Sequence, residues 1–96
     1  MRLPADVKLR APETVEIRTF DDGESVLLNL KTEHYFSLNA TGTRMWQAVT
    51  GAASVEAAYQ QLLGEYAVDP AELRRDLEDL VAELLHHGLL ESDHGG

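Results

Sequence analysis

The sequence predicts an α+β domain, a three-stranded antiparallel sheet with a short N-terminal strand or arm, packed on a three-helix bundle of winged-helix type. Three observations predict it. Up to Asn39 apolar and polar residues tend to alternate; after Asn39 apolar residues recur at helical spacing. The turns between the strand segments are too short for a parallel crossover, so the sheet is an antiparallel meander. At 96 residues the chain suits a single hydrophobic core, read as one domain over 1–96 with its folded part over about 5–91.

The first main strand is Thr14–Phe20, where period-two alternation marks a half-buried strand. Asp21-Asp22-Gly23 follows as a hairpin turn, because Asp-Gly tolerates positive φ. Glu24–Leu30 is apolar on both faces, which fits the central strand. Lys31-Thr32-Glu33 is a polar turn into the third strand, His34–Leu38, with His34, Phe36 and Leu38 on one side. Val7–Arg10, ahead of Pro12, forms the short extra strand or arm.

The first helix spans Thr41–Thr50, with Met45, Trp46 and Val49 on its inner face and Gly51 as its stop. Asn39 and Gly42 shape the strand-to-helix turn. Ser54 caps a second helix whose apolar set is Val55, Ala58, Tyr59, Leu62, Leu63 and Tyr66, with Gly64 near its end. The third helix opens on Asp69 as N-cap, Pro70 at the first helical position and Glu72 as a capping-box partner. Leu73, Leu77, Leu80, Val81, Leu84 and Leu85 form its stripe, Gly88 ends it, and Glu91–Gly96 is expected to fray.

Eight basic residues against seventeen acidic ones give a net charge of −9, and from Glu65 onward nine acids face two bases, Arg74 and Arg75. Nucleic-acid affinity rests on clustered Lys and Arg, so no nucleic-acid partner is expected. The alternative of a winged-helix DNA-binding regulator would need a basic or amide-rich third helix, yet this one carries Asp76, Glu78, Asp79 and Glu83. No apolar run approaches the ~18 residues of a membrane span, and the N-terminus has no secretory apolar region. A cytoplasmic protein without a membrane partner is expected. The absence of cysteine removes disulfides, thiolate metal sites and thiol nucleophiles together.

Little catalytic chemistry remains. His86 and His87 are adjacent, so on a helix they point about 100° apart and do not share an ion; they suit the negative end of a helix dipole. His34 has no nucleophile arranged around it, and the acids of the third helix form a solvated face. Asn39-Ala40-Thr41-Gly42 has a single glycine and is no phosphate loop. No enzyme activity, cofactor or metal is expected.

Binding is better supported. On a wheel of about 100° per residue from Leu73, Leu80, Leu84 and Leu77 fall near −20°, 20° and 40°, with Val81 and Leu85 near 80° and 120°. Arg74 and Glu78 border that wider flank, at about 100° and about 140°. The third strand, last in the meander, leaves an edge whose free amides and carbonyls suit an extended peptide. An open edge beside an apolar helix flank makes a peptide groove. The same edge, or the N-terminal arm, offers a route to a homodimer, and a purely structural dimerisation module is the other alternative.

The run from Glu24 to Trp46, with its core of Leu27-Leu28, a turn, Tyr35-Phe36-Ser37-Leu38-Asn39, Thr41-Gly42 and Trp46, resembles the PqqD-like family. So do Ser54-Val55-Glu56, Glu65–Asp69 and the leucine-spaced helix ending Gly88-Leu89-Leu90. The resemblance implies a non-catalytic domain that recognises the leader of a ribosomally made, post-translationally modified precursor peptide. It implies that the leader adds as a strand to the third strand, against the third helix. The bound leader would then meet a modifying enzyme, such as a radical-SAM enzyme or a lasso-peptide leader protease, in pyrroloquinoline quinone-type or peptide natural-product biosynthesis. Carried over by position, His34, Tyr35, Phe36 and Ser37 supply the strand contacts. Arg74, Leu77, Glu78 and Val81 supply the helix contacts on the flank chosen from the wheel.

Overall fold

A computed structural model describes residues 6–92. The chain runs β1 (Leu9–Arg10), β2 (Val15–Thr19), β3 (Ser25–Asn29), β4 (Tyr35–Leu38), α1 (Ala40–Gly51), α2 (Val55–Leu63), α3 (Pro70–His86) and β5 (Glu91–Ser92). The strands β2, β3 and β4 form an antiparallel sheet in that order, so β3 is central and β4 is the third strand of the sequence reading. The expected N-terminal strand exists as β1, but it pairs with β5 and not with the main sheet. Glu91 and Ser92, expected to fray, are therefore strand residues, held by main-chain pairing and by Arg10 Nε donating to Glu91 at 2.7 Å. The rest of that tail, 93–96, lies outside the described residues.

Both hairpins differ in detail from expectation. The β2–β3 loop has three residues, closed by the Phe20 amide on Glu24 at 2.8 Å; of its residues only Gly23, φ 88°, is left-handed. Asp22 works through its side chain instead, accepting from the Glu24 amide at 2.9 Å. The β3–β4 loop places Glu33 at φ 64°, a left-handed position that glycine fills at lower cost. His34 falls in this loop, one residue before the strand.

Each helix is started by the residue the sequence nominates or one beside it. Asn39 accepts from the Gly42 amide at 2.7 Å, Ser54 from Ala57 at 3.0 Å and Asp69 from Ala71 at 2.9 Å. Asp69 thus caps the second helical amide, and its side-chain bond does not run to Glu72 as a capping box requires. Gly51 does not stop α1: it is the last helical residue, and Lys8 Nζ supplies the ending by donating to the carbonyls of Thr50 and Ala52 at 2.9 and 2.6 Å. In turn α2 ends at Leu63, leaving Tyr66 beyond it but packed on the core. Gly88, φ 72°, closes α3 in a Schellman turn, with the Leu89 amide on Leu84 at 2.9 Å and the Gly88 amide on Leu85 at 3.2 Å.

The core joins the inner face of the sheet to all three helices: Leu27 and Leu38 meet Met45, Trp46, Val49, Ala58, Leu62, Leu73, Leu77, Val81 and Leu84. Gly42 sits where an added Cβ would lie 3.3–3.4 Å from Asn39 and Leu38, so it permits the tight turn from β4 into α1. No helix among the described residues is long and apolar enough to cross a membrane.

Two charged pairs pin the helices. Arg44 Nε on α1 donates to Glu65 at 2.7 Å, and Arg74 Nη2 on α3 donates to Glu56 on α2 at 2.8 Å. The bond from Arg44 holds the Glu65 carboxyl below its ordinary value of 4.5. A depressed carboxyl contributes stability above its unfolded pKa and loses it as pH falls through the folded one. Arg44→Gln is therefore expected to lower the urea midpoint at neutral pH. The gap to wild type narrows as pH falls below about 4.5; a gap constant with pH would contradict the assignment.

Candidate functional site

The candidate site is the edge of β4, which no strand among the described residues pairs. In the β3–β4 pair the Asn29 amide donates to the His34 carbonyl at 2.8 Å, which fixes the phase of the ladder. Hydrogen-bonded pairs alternate with non-bonded ones in an antiparallel ladder, so Phe36 and Leu38 turn their main-chain groups to Leu27 and Ser25. Tyr35 and Ser37 turn theirs outward. Two amides and two carbonyls thus point away from the sheet along one edge.

Side chains on β4 alternate the other way. Phe36 and Leu38 face the helices, Leu38 buried and Phe36 only half-buried. The Phe36 ring is covered at one end by His87, with ring centroids 5.7 Å apart, and His87 in turn meets His86 edge-on at 5.2 Å. His34 is exposed and lines a depression of about 290 Å³ with Glu33, Tyr35 and His87. Tyr35, 72% exposed, lies on the outer face, where a depression of about 370 Å³ is bounded by Glu16, Arg18, Phe20, Val26, Leu28 and Tyr35 itself. Ser37 shares that outer side. Of the four residues expected to supply strand contacts, then, Phe36 turns its side chain toward His87 at the end of α3, His34 lies in the loop before the strand, and Tyr35 and Ser37 turn their main chain to the edge.

Two contacts orient α3, one toward β4 and one toward α1. His87, at the helix end, touches Phe36; Glu72 and Asp76, near its start, line a hollow with Thr41, in the first turn of α1. On the wheel His87, Glu72 and Asp76 all fall on the negative-angle side of Leu73, between about −40° and about −100°. Leu80, at about −20°, and Glu83, at about −80°, lie on the same flank. Asp76 to His87 is eleven residues, about 16 Å of helix, the length of about five extended residues.

The helix residues nominated from the sequence do not lie on this flank. Arg74 stacks 4.0 Å over the Tyr59 ring and pairs with Glu56, both on α2. Glu78, at about 140° on the wheel, is on the same side as Arg74. Leu77 and Val81, at 1% and 0% exposure, are core residues with no surface to offer. On the flank that carries His87, Leu80 is half-buried and His87 is exposed. On the wider flank of the stripe Val81 is buried and Leu85 half-buried against the core.

Asn29 fixes the spacing between strand and helix. It is buried on the inner face of β3; its Nδ2 donates to the Gly88 carbonyl at 3.0 Å, and its Oδ1 accepts from the amides of Lys31 and Thr32 at 2.9 and 3.3 Å. One amide therefore ties the end of α3 to the turn that starts β4. At the far end of β3, Ser25 Oγ and Thr43 Oγ1 lie 2.7 Å apart in the interior, joining the sheet to α1.

Residues 24–90 match the family described as coenzyme PQQ synthesis protein D (PqqD), which is more than half of the chain. The chain belongs to the PqqD family. Two solved structures share the PqqD fold over nearly their whole length. One, TbiB1 in complex with the TbiA(beta) leader peptide, is 35% identical, with 85% of this chain and 94% of that one aligned at a TM-score of 0.77. The other, lasso peptide synthetase B1 complexed with the leader peptide, is 27% identical, with 88% and 98% aligned at 0.76. No curated protein sequence matches this PqqD-family chain.

Removing the Asn29 side chain orphans two turn amides and a helix-terminal carbonyl. Asn29→Ala is expected to cost about 1–3 kcal/mol in urea denaturation. Asn29→Asp keeps the acceptor but turns a carboxylate toward the Gly88 carbonyl, so it is expected to be destabilised as well. Wild-type stability in both would remove Asn29 as the tie.

Proposed function

We propose that this protein captures the leader segment of a ribosomally made precursor peptide as an added strand on β4 and presents it to a modifying enzyme, without catalysing a reaction itself. The observation that carries the reading is the outward main chain of Tyr35 and Ser37 beside the half-buried Phe36, whose ring meets His87 at the end of α3. Two similar structures, one 35% identical, each hold a leader peptide, which supports the same ligand here. The match to a lasso peptide synthetase B1 favours a lasso-type pathway over pyrroloquinoline quinone synthesis.

In this reading the leader's register is set by main-chain bonds to Tyr35 and Ser37, each worth about 0.5–1.5 kcal/mol net. One or two apolar leader side chains pack on Phe36 and Leu80, each adding about 1.5–3 kcal/mol when fully buried. Ordering a disordered leader costs ~2–5 kcal/mol, so micromolar to submicromolar affinity follows. Leu77 and Val81 act from beneath, holding the helix in place. His34 and His87 line one mouth of the groove, while Asp76 and Glu83 border its helix wall. Binding raises the local concentration of the core peptide at the partner enzyme, a radical-SAM enzyme, leader protease or similar. The acidic exterior of α3 argues against a DNA or RNA partner. A cytoplasmic location suits a domain that meets its substrate as the ribosome releases it.

Calorimetric titration with the TbiA(beta) leader and with a synthetic leader from a neighbouring short reading frame tests this. Saturable binding is expected with at least one of them. Ser37→Pro deletes an outward amide and none of the ladder to β3, since proline is tolerated on an edge strand. It is expected to weaken binding at least ten-fold with the fold intact by circular dichroism, whereas Arg74→Ala retains binding. Equal affinity of Ser37→Pro and wild type would rule out strand addition at β4.

A further inference from the structure

Among the described residues the sheet has a second unpaired edge, on β2. The Phe20 amide on Glu24 at 2.8 Å and the Leu30 amide on Thr14 at 2.7 Å set the phase of the β2–β3 ladder, which turns the main chain of Glu16 and Arg18 inward. The amides and carbonyls of Ile17 and Thr19 and the carbonyl of Val15 therefore point away from the sheet. The Val15 amide is already used, donating to Pro12 at 3.0 Å. Ile17 stays 40% exposed although it is on the core-facing side. Glu16 and Arg18 stand on the outer side; the ion pairs formed among the described residues involve Arg10, Arg44 and Arg74 instead.

This strand is complementary to itself in one register. Antiparallel pairing of two copies about a two-fold axis through Ile17 sets Ile17 opposite Ile17, Val15 opposite Thr19 and Glu16 opposite Arg18. The hydrogen-bonded positions then fall on the residues whose main chain is free. Four bonds form, two between the Ile17 residues and one from each Thr19 amide to the other copy's Val15 carbonyl. The Glu16–Arg18 pairs, two by symmetry, fall on non-hydrogen-bonded positions, where cross-strand side chains approach most closely. Moving the axis to residue 16 sets Glu16 against Glu16, and moving it to residue 18 sets Arg18 against Arg18. Like charges directly opposite are destabilising, so the charge pattern selects the Ile17 register.

We propose that β2 is a self-association edge whose occupant is a second copy of this chain. The product is an isologous dimer with a continuous six-stranded sheet, β4 at each outer end still open to a peptide. This use of β2 does not depend on what β4 binds. The contact is short, so the dimer is weak and visible only at high concentration.

Sedimentation equilibrium of the full chain up to about 1 mM tests it, a range that reads weak association. Wild type is expected to shift from monomer to dimer by mass action. Arg18→Glu replaces both attractive pairs with repulsive ones and is expected to weaken the dimer about ten-fold or more; Glu16→Arg, which sets two cations opposite each other, does the same. The combined exchange Glu16→Arg with Arg18→Glu restores the opposite pairs and is expected to return association to the wild-type level. Circular dichroism verifies the fold of each. A wild type monomeric throughout overturns the proposal. So does association that single and double variants share unchanged, since that interface lies elsewhere.

Discussion

The cleft depends on one buried side-chain amide. Asn29 sits at the end of the central strand, where the chain turns toward β4 and where α3 finishes, and it bonds to both. A buried amide that meets its partners costs little, while one that loses them is expensive, so this side chain acts as a positional lock more than a source of stability. With α3 held at its C-terminal end and α1 held by the Ser25–Thr43 hydroxyl pair, β3 carries a fixed polar contact at each end and Leu27 between them. The space beside β4 is then set by the frame and not by β4 itself. A four-residue edge strand with little core of its own can remain open without drifting.

A three-stranded sheet always leaves two edges, and here they differ in surroundings. The edge of β4 carries the half-buried Phe36, whose ring meets His87 at the end of α3, and Leu80 of that helix is half-buried too. The edge of β2 overhangs the core and carries a charge of each sign on its outer face. An edge backed by an apolar wall gains from burying a foreign side chain; one without a wall gains from main-chain bonds and charge pairing alone. The first suits a tightly held peptide, the second a weak and reversible contact.

Much of this was legible in the sequence because local chemistry decides it. Period-two alternation over Thr14–Phe20, the doubly apolar Glu24–Leu30 and the caps Ser54 and Asp69 each declare an element within a few residues. What stayed hidden is what distant contacts decide. The strand β5 has two residues and no pattern, and it exists because β1 lies beside it. The end of α1 comes from Lys8, more than forty residues away, and not from Gly51. The flank of α3 could not be read from the wheel, whose broad apolar stripe says which side is buried but not which rim meets the sheet. His87 shows the same limit. As a residue at a helix end it needs no further account, and only the proximity of Phe36 brings it to the candidate cleft.

Amide hydrogen exchange, followed residue by residue by NMR with and without saturating TbiA(beta) leader or neighbouring-frame leader, tests strand addition most directly. The account predicts strong slowing at Tyr35 and Ser37, whose amides face the open edge, and none caused by peptide at Ile17 and Thr19 on β2. Saturable binding that leaves Tyr35 and Ser37 exchanging as in the free protein would contradict it.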